Sequence, residues 1–351
     1  MLINELEIDI PNNLIAIHPQ IPRDESKLVI VDKKLKIIKF KDIVDYLRTN
    51  DAIIFNNTKV INAELLGNID KRKVSVNLNK LLNKKKVLWS VFLKANRIPS
   101  IGEIINFNGG IKAKVVERKK NNNTTIFFLK FNCDYELFNQ YIKKYGKSPL
   151  PPYIKKKKNQ NSKDQTNYQT VFAKKEGAVA APTASLHFSK NLIKKIKEKK
   201  IKIIYITLHV NGGTFIPIRS KNIFDHKMHK EFGEISKNSA NKINRIKAQG
   251  GRIFAIGTTV LRLLESSKNF DGSIRAFYGE TDIFIKPGDN IDTIDALITN
   301  FHTPKSTLLV LIYAILGKEK TKKLYDFAIK KKLRFFSFGD ACLIWNKKNE
   351  F

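Results

Sequence analysis

A chain of 351 residues with 42% hydrophobic content carries enough apolar material for a substantial core, which excludes wholesale disorder and predicts two domains or one with a large insertion. Lysine and arginine number 65 against 32 acidic residues, a formal net charge of +33 that suits a partner of polyanions, nucleic acid first, although lysine-rich compositional drift is a competing source. The apolar run 308–316 is too short to span a bilayer, the first ten residues lack a secretory pattern, so a cytoplasmic protein is expected, and the distant Cys133 and Cys342 read as ordinary buried thiols.

Residues 28–31 and 35–40 read as strands, 40–48 as a short helix and 51–55 as a further strand, which is α/β texture. At the end of that strand, Asn56, Asn57, Thr58 and Lys59 form a polar cluster able to fix a ligand or to close a turn. From 61 to 131 the pattern is β only, with strands at 74–78, 87–93, 104–107, 111–118 and 124–131 and turn signals at 108–110 and 119–123. Five or six short strands with tight turns predict a small barrel or curled sheet. Because α/β patterns resume on both sides, the expectation is an α/β (α+β) main domain, discontinuous over 1–60 and 150–351, with an inserted all-β barrel-like domain over 61–149.

A helix over 134–145 stops at Gly146. Residues 148–153 read as a polyproline-like strap, and the lysines 155–158 with the polar tract to Asn167 read as a flexible, solvated loop. The stretch 177–188, GAVAAPTASLHF, carries no charge although lysines crowd both flanks. Its small side chains suit close approach to a ligand or to another backbone.

Ser189 caps a basic helix, and the strand 201–210 runs into His209, Asn211, Gly212 and Gly213. Strand followed by glycines outlines a phosphate loop, yet the third glycine and the helix of a GxGxxG fingerprint are missing, so a Rossmann site is not predicted. His226 and His229 lie three apart without the HExxH spacing, and no metal is assigned to them. Ser236 begins a helix that closes near Gly250. After the strand 252–256, Gly257, Thr258 and Thr259 open a helix and offer amides and hydroxyls to an anion such as a carboxylate. Arg262 and Glu265 share a face of that helix, where pairing with each other is the alternative to holding a ligand. A strand is predicted at 281–285, another at 296–299 leading into Asn300 and His302, then helices over 308–316 and to about 332, and a last strand ending at Trp345. All six histidines sit in polar clusters and none on a plain amphipathic helix, which points to a shared site.

The segments YQTVFA (168–173), GAVAAPTASLHF, TLHVNGGTF (207–215), HKMHKE (226–231), GGRIFAIGTTVLRLLE (250–265), TDIFIKPG (281–288), LITNFHTPKSTLL (297–309) and RFFSFGD (334–340), with FNNTKVINAEL (55–65), closely resemble the S-adenosylmethionine:tRNA ribosyltransferase-isomerase family of queuosine biosynthesis, nearly end to end. Ser185 stands where the family pattern has glycine, and Asn211-Gly212 where Gly-Ala is usual.

The resemblance implies transfer and isomerisation of the ribosyl group of S-adenosylmethionine onto 7-aminomethyl-7-deazaguanine (preQ1) at the tRNA wobble position. Epoxyqueuosine-tRNA forms, and adenine and methionine leave. S-adenosylmethionine is then a consumed substrate, no cofactor or metal is implied, and the partners are a preQ1-bearing tRNA and S-adenosylmethionine, handled by a monomer. Such chemistry needs a base at the carbon next to the sulfonium, an acid for the departing adenine and a grip on the methionine carboxylate. His187, His209, His229 and His302 are candidates for proton transfer, unranked, with Glu231 and Asp340 as base or as partners of a histidine. Thr258, Thr259 and Arg262 are assigned to the methionine carboxylate, Ala181, Thr183 and Asn300 to the adenine or ribose, and Arg334 to substrate binding. Lys59, Lys155 and Lys156 are assigned to tRNA. Two rivals remain at this level, a noncatalytic basic RNA-binding protein and a histidine-metal hydrolase.

Overall fold

The computed structural model describes residues 1–121, 124–157, 163–215 and 217–346. Four parallel strands lie at the middle of a nine-stranded sheet, in the order Lys202–Leu208, Ala52–Asn56, Ile253–Ile256 and Ala296–Asn300. They read as nearly unbroken apolar runs because both faces are covered. Ala52, Ile54, Ala255 and Leu297 pack on one side with the helices Thr258–Ser266 and Thr307–Leu316. The alternate residues Ile53, Phe55, Phe254 and Ile298 pack on the other, with the helix Lys190–Glu198 and the 3-10 turn Phe40–Tyr46. Antiparallel strands Glu231–Ile235 and Phe277–Thr281 finish one edge; Ala341–Trp345, Lys27–Val31 and Leu35–Lys39 finish the other.

The segment read as β only is a closed barrel of six strands, from Glu64–Ile69 to Thr124–Phe131, so the expected α/β fold with a small barrel is met. Inward Leu65, Val74, Val76, Val91, Val115 and Leu129 fill it, and the helix Tyr135–Tyr145 seals it with Phe138, Tyr141 and Ile142. Asp134 caps that helix by accepting a hydrogen bond from the Leu137 N–H at 2.8 Å. The chain passes from sheet to barrel beside its own return path: Thr58–Val60 pairs in parallel with Lys175–Ala178. Among the described residues no helix is long and apolar enough to cross a membrane.

Several local expectations change. The strand expected at 281–285 lies earlier, at Phe277–Thr281, because the Thr281 hydroxyl accepts the Ile283 N–H at 3.2 Å and turns the chain off the sheet. The tract expected as a loop holds short helices at Pro152–Lys157 and Lys163–Asn167, while residues 158–162 lie outside the described residues. Pro152 at the first helical position presets φ, which also ends the polyproline-like strap early. Arg23 anchors the far end through the carbonyls of Thr166 at 2.9 Å and Gln169 at 2.8 Å. Cys342 is buried as expected, but Cys133 is half-buried.

Candidate functional site

The parallel strands deliver Asn56, His209, Gly257 and Asn300 to one end of the sheet, where ligands collect in open α/β folds. The uncharged stretch 177–188 crosses these ends. Its first residue lies against His209: a Cβ on Gly177 would stand 2.9 Å from the imidazole, at a φ of +148°. Farther along, Ala184 comes up to Gly257, and Thr183–His187 winds into a 3-10 turn. Ala178, Ala180, Ala181 and Ala184 are all buried. Small side chains are therefore required here by backbone-to-ring and backbone-to-helix contacts. Gly177→Ala is expected to push the His209 ring aside and cost about 2 kcal/mol, measured by urea unfolding; parental stability with an unmoved His209 resonance would refute the contact.

His187 is buried between two elements. Its Nδ1 lies 2.7 Å from the Ser26 hydroxyl and its Nε2 3.1 Å from the Asn300 amide nitrogen, with the ring stacked on Phe40 at 4.8 Å. The Asn300 amide oxygen accepts from Thr183 at 2.9 Å, which turns the NH₂ toward His187. Nε2 is then the acceptor and Nδ1 carries the proton to Ser26. Burial, followed by the charges of Arg334 and Arg23, lowers the His187 pKa to about 3. His302 is held by the Thr299 hydroxyl at 2.9 Å, and burial lowers it likewise to about 3. Both rings are neutral at neutral pH.

A second cluster faces a cavity of about 310 Å³ between the sheet end and the barrel. Gly177, His209 and Asn211 line it from the sheet side, Asn79 and Trp89 from the barrel. The Thr58 hydroxyl engages His209 Nδ1 at 2.7 Å, and burial ahead of the Lys175 charge lowers the pKa of this ring too. Behind the cavity wall, buried Glu231 accepts the Asn211 N–H at 2.9 Å and pairs with buried Arg262 at 2.5 Å. Arg262 thus reaches across to the neighbouring strand and does not pair with Glu265, whose carboxylate binds Lys268 at 3.0 Å and Thr293 at 2.7 Å. An (i, i+3) spacing on an exposed helix predicts a local pair, but Arg262 faces the core, where the desolvated partner lies on another element.

The histidines divide. His187 and His302 flank Asn300, His209 borders the cavity, and His229 lies against Gly213, where an added Cβ would overlap its ring. His226 packs on Phe284, and His18 is exposed with its carbonyl on Arg334. Burial lowers His229 as well, opposed by Glu231. Among the described residues no group of three or more His, Cys, Asp or Glu gathers around one point.

Asp340 accepts the backbone N–H groups of Lys27 and Arg334, each at 2.8 Å, and so staples the 334–340 turn to the start of the strand Lys27–Val31. Thr258 and Thr259 open their helix as expected, both buried, and the Thr259 hydroxyl and Arg262 Nη2 have no hydrogen-bond partner among the described residues. The Ser185 hydroxyl is buried and unpartnered in the same way. Lys59 pairs with Glu176 at 2.9 Å and Lys155 with Glu64 at 2.7 Å, whereas Lys156 is exposed. Sequence reading does not find the roles of Ser26 and Thr58, which meet their histidines 161 and 151 residues away. Asn79 and Trp89 give no signal at all, being two residues in alternating β pattern.

The family model described as Queuosine biosynthesis protein matches residues 3–344. The chain is 43% identical to the S-adenosylmethionine:tRNA ribosyltransferase-isomerase of Halothermothrix orenii, over 98% of this chain and all of that one. It is 40% identical to the protein of the same name from Zymomonas mobilis, over 99% and 100%. Among solved structures it is similar to an S-adenosylmethionine tRNA ribosyltransferase from Thermotoga maritima, with a TM-score of 0.54, 29% identity and coverage of 97% of this chain and 99% of that one.

Proposed function

The chain belongs to the queuosine biosynthesis protein family, as its motifs imply, and from that premise we propose that it is an S-adenosylmethionine:tRNA ribosyltransferase-isomerase acting on preQ1 at the wobble position. The ribosyl group moves to the aminomethyl nitrogen, epoxyqueuosine-tRNA results, and adenine and methionine are released. The observation that carries this reading for the structure is the cavity where His209 and Gly177, at the sheet end, face the barrel. Its volume of about 310 Å³ lies in the range of small-molecule sites.

In this reading S-adenosylmethionine is consumed and no cofactor takes part. The Thr259 hydroxyl and Arg262 Nη2 retain hydrogen-bonding capacity at a helix start, which suits the methionine carboxylate, with Thr258 beside them. Thr183 and Asn300, already joined, border the adenine or ribose with the Ala181 backbone, and Arg334 supplies positive charge near His187. His209 is the preferred proton acceptor: its lowered pKa keeps it neutral, and it borders the cavity, whereas both nitrogens of His187 are engaged by Ser26 and Asn300. His302, His229, Glu231 and Asp340 then serve as positioning groups around the site. The exposed Lys156, and Lys59 and Lys155 once released from their surface ion pairs, contribute to RNA attraction.

Incubation of the protein with S-adenosylmethionine and preQ1-containing tRNA is expected to release adenine and methionine in equal amounts. S-adenosylhomocysteine with methylated RNA would instead identify a methyltransferase and overturn the assignment.

A further inference from the structure

The barrel strand Arg72–Asn83 shifts register against its neighbour twice, between Leu78 and Lys80 and between Leu81 and Asn83, and the first shift buries a polar side chain. Leu78 pairs with Val91 and Lys80 with Ser90, so Asn79 is an extra, bulged residue, and Leu78 and Asn79 are buried in succession. A bulge re-aims a side chain. Here the Asn79 NH₂ donates to the Ser90 hydroxyl at 3.3 Å, and that hydroxyl donates to the Lys80 carbonyl at 3.4 Å. The amide is oriented by this chain, and its oxygen is buried with no hydrogen-bond partner among the described residues. The oxygen lies on the side of the sheet domain, since a Cβ on Gly212 would stand 3.7 Å from it.

On the neighbouring strand the indole N–H of Trp89 is also buried, with no hydrogen-bond partner among the described residues. Asn79 is 8% exposed and Trp89 4%, yet both line the cavity described above, together with Tyr135 and Phe232. A buried donor and a buried acceptor left unpaired each cost roughly 1–3 kcal/mol, so their presence side by side in an aromatic cavity indicates a ligand that completes them.

We propose that Asn79 and Trp89 read the edge of a purine-type base of the RNA, inserted into this cavity from its loop; the proposal rests on the RNA-modifying reading above. Trp89 Nε1–H donates to the carbonyl oxygen of a guanine-type edge, and Asn79 Oδ1 accepts from the adjacent ring N–H. Tyr135 and Phe232 supply flat surfaces for stacking. The adenine of S-adenosylmethionine presents a donor and an acceptor too, but the surroundings favour an RNA base. Lys84 lies 4.8 Å over the Tyr135 ring, a cation placed for a phosphate that accompanies a base in a strand, and Lys80, Lys59 and Lys143, paired with Glu280 and Glu176 at the cavity, reach a phosphate once released from them.

The chain has two tryptophans, and Trp345 packs on Phe254 and Arg252, so Trp89 is the only indole in the Trp345→Phe protein. Titration of that protein with a synthetic anticodon stem-loop bearing preQ1 is expected to quench Trp89 emission, whereas S-adenosylmethionine alone leaves it unchanged. Asn79→Leu and Trp89→Phe are each expected to raise the KM for the RNA about tenfold without changing that for S-adenosylmethionine. Should either variant fold poorly by circular dichroism, the titration still decides. Quenching by S-adenosylmethionine, or a rise in its KM, assigns the cavity to adenine and overturns the proposal. Silent Trp89 emission with parental KM values in both variants overturns it as well, while the parent still releases adenine and methionine; a parent that releases neither removes the underlying functional reading, a separate result.

Discussion

Replacing Arg262 by methionine is expected to destabilise the protein by about 3–5 kcal/mol, because it leaves a carboxylate buried without its countercharge. Arg262 and Glu231 are each 2% exposed, and their 2.5 Å contact joins the helix Thr258–Ser266 to the strand Glu231–Ile235. Glu231 also accepts the Asn211 N–H, and Arg262 Nε donates to the Ile283 carbonyl at 3.3 Å, so each partner holds a loop as well as its mate. Glu231→Gln keeps the volume and the amide contact but strands the guanidinium, with a loss of similar size. The double variant Glu231→Gln/Arg262→Met strands neither charge. Its loss is therefore expected to fall short of the sum of the single losses by about 2 kcal/mol or more. Urea unfolding of the four proteins measures this directly; additive losses would show that the two groups act independently.

Acid is expected to weaken the fold well before carboxylates titrate. His187 and His302 have pKa values near 3 in the folded protein, against about 6.5 when unfolded. Between those values the unfolded chain binds more protons than the native one, so stability rises with pH across the window and is complete above about pH 6.5. Each histidine contributes a slope of about 1.4 kcal/mol per pH unit inside the window. Lowering the pH from 7 to 5 should thus remove roughly 4 kcal/mol for the two together. Asp340, raised by burial, acts with the opposite sign: its stabilisation is present below the ordinary aspartate pKa and fades as pH rises through its raised value. Urea midpoints at pH 7, 6 and 5 measure the slope, and His187→Asn, although less stable at pH 7, should show about half of it. A flat profile from pH 7 to 5 would mean that these rings are not held neutral by burial.

Sequence reading works well where structure is local. The strand at 104–107 and the strand at 124–131 stand where alternation and turn residues place them, and Asp134, Ser189 and Ser236 cap the helices they precede. It fails where a neighbour distant in sequence decides. Periodicity cannot distinguish an Arg262 that pairs down its own helix from one that crosses to Glu231, because both give the same pattern of polar and apolar residues. The bulge at Asn79 is invisible for the same reason: one extra residue changes which face a side chain takes only once the partner strand sets the register.

Legible in the chain alone are the kind of most long elements, the run of short β strands over 61–131, the charge-free stretch 177–188 and, through its motifs, the family. Local propensity, capping and burial period act within a few residues, and those terms are written in the chain. Only the tertiary structure decided that Ala52–Asn56 lies between two strands far downstream, that Ser26 and Asn300 hold His187, and that Gly177 and His209 meet the barrel across a cavity. Those pairings depend on the free energy of contacts between distant segments, where each residue's role is set by whatever packing brings against it.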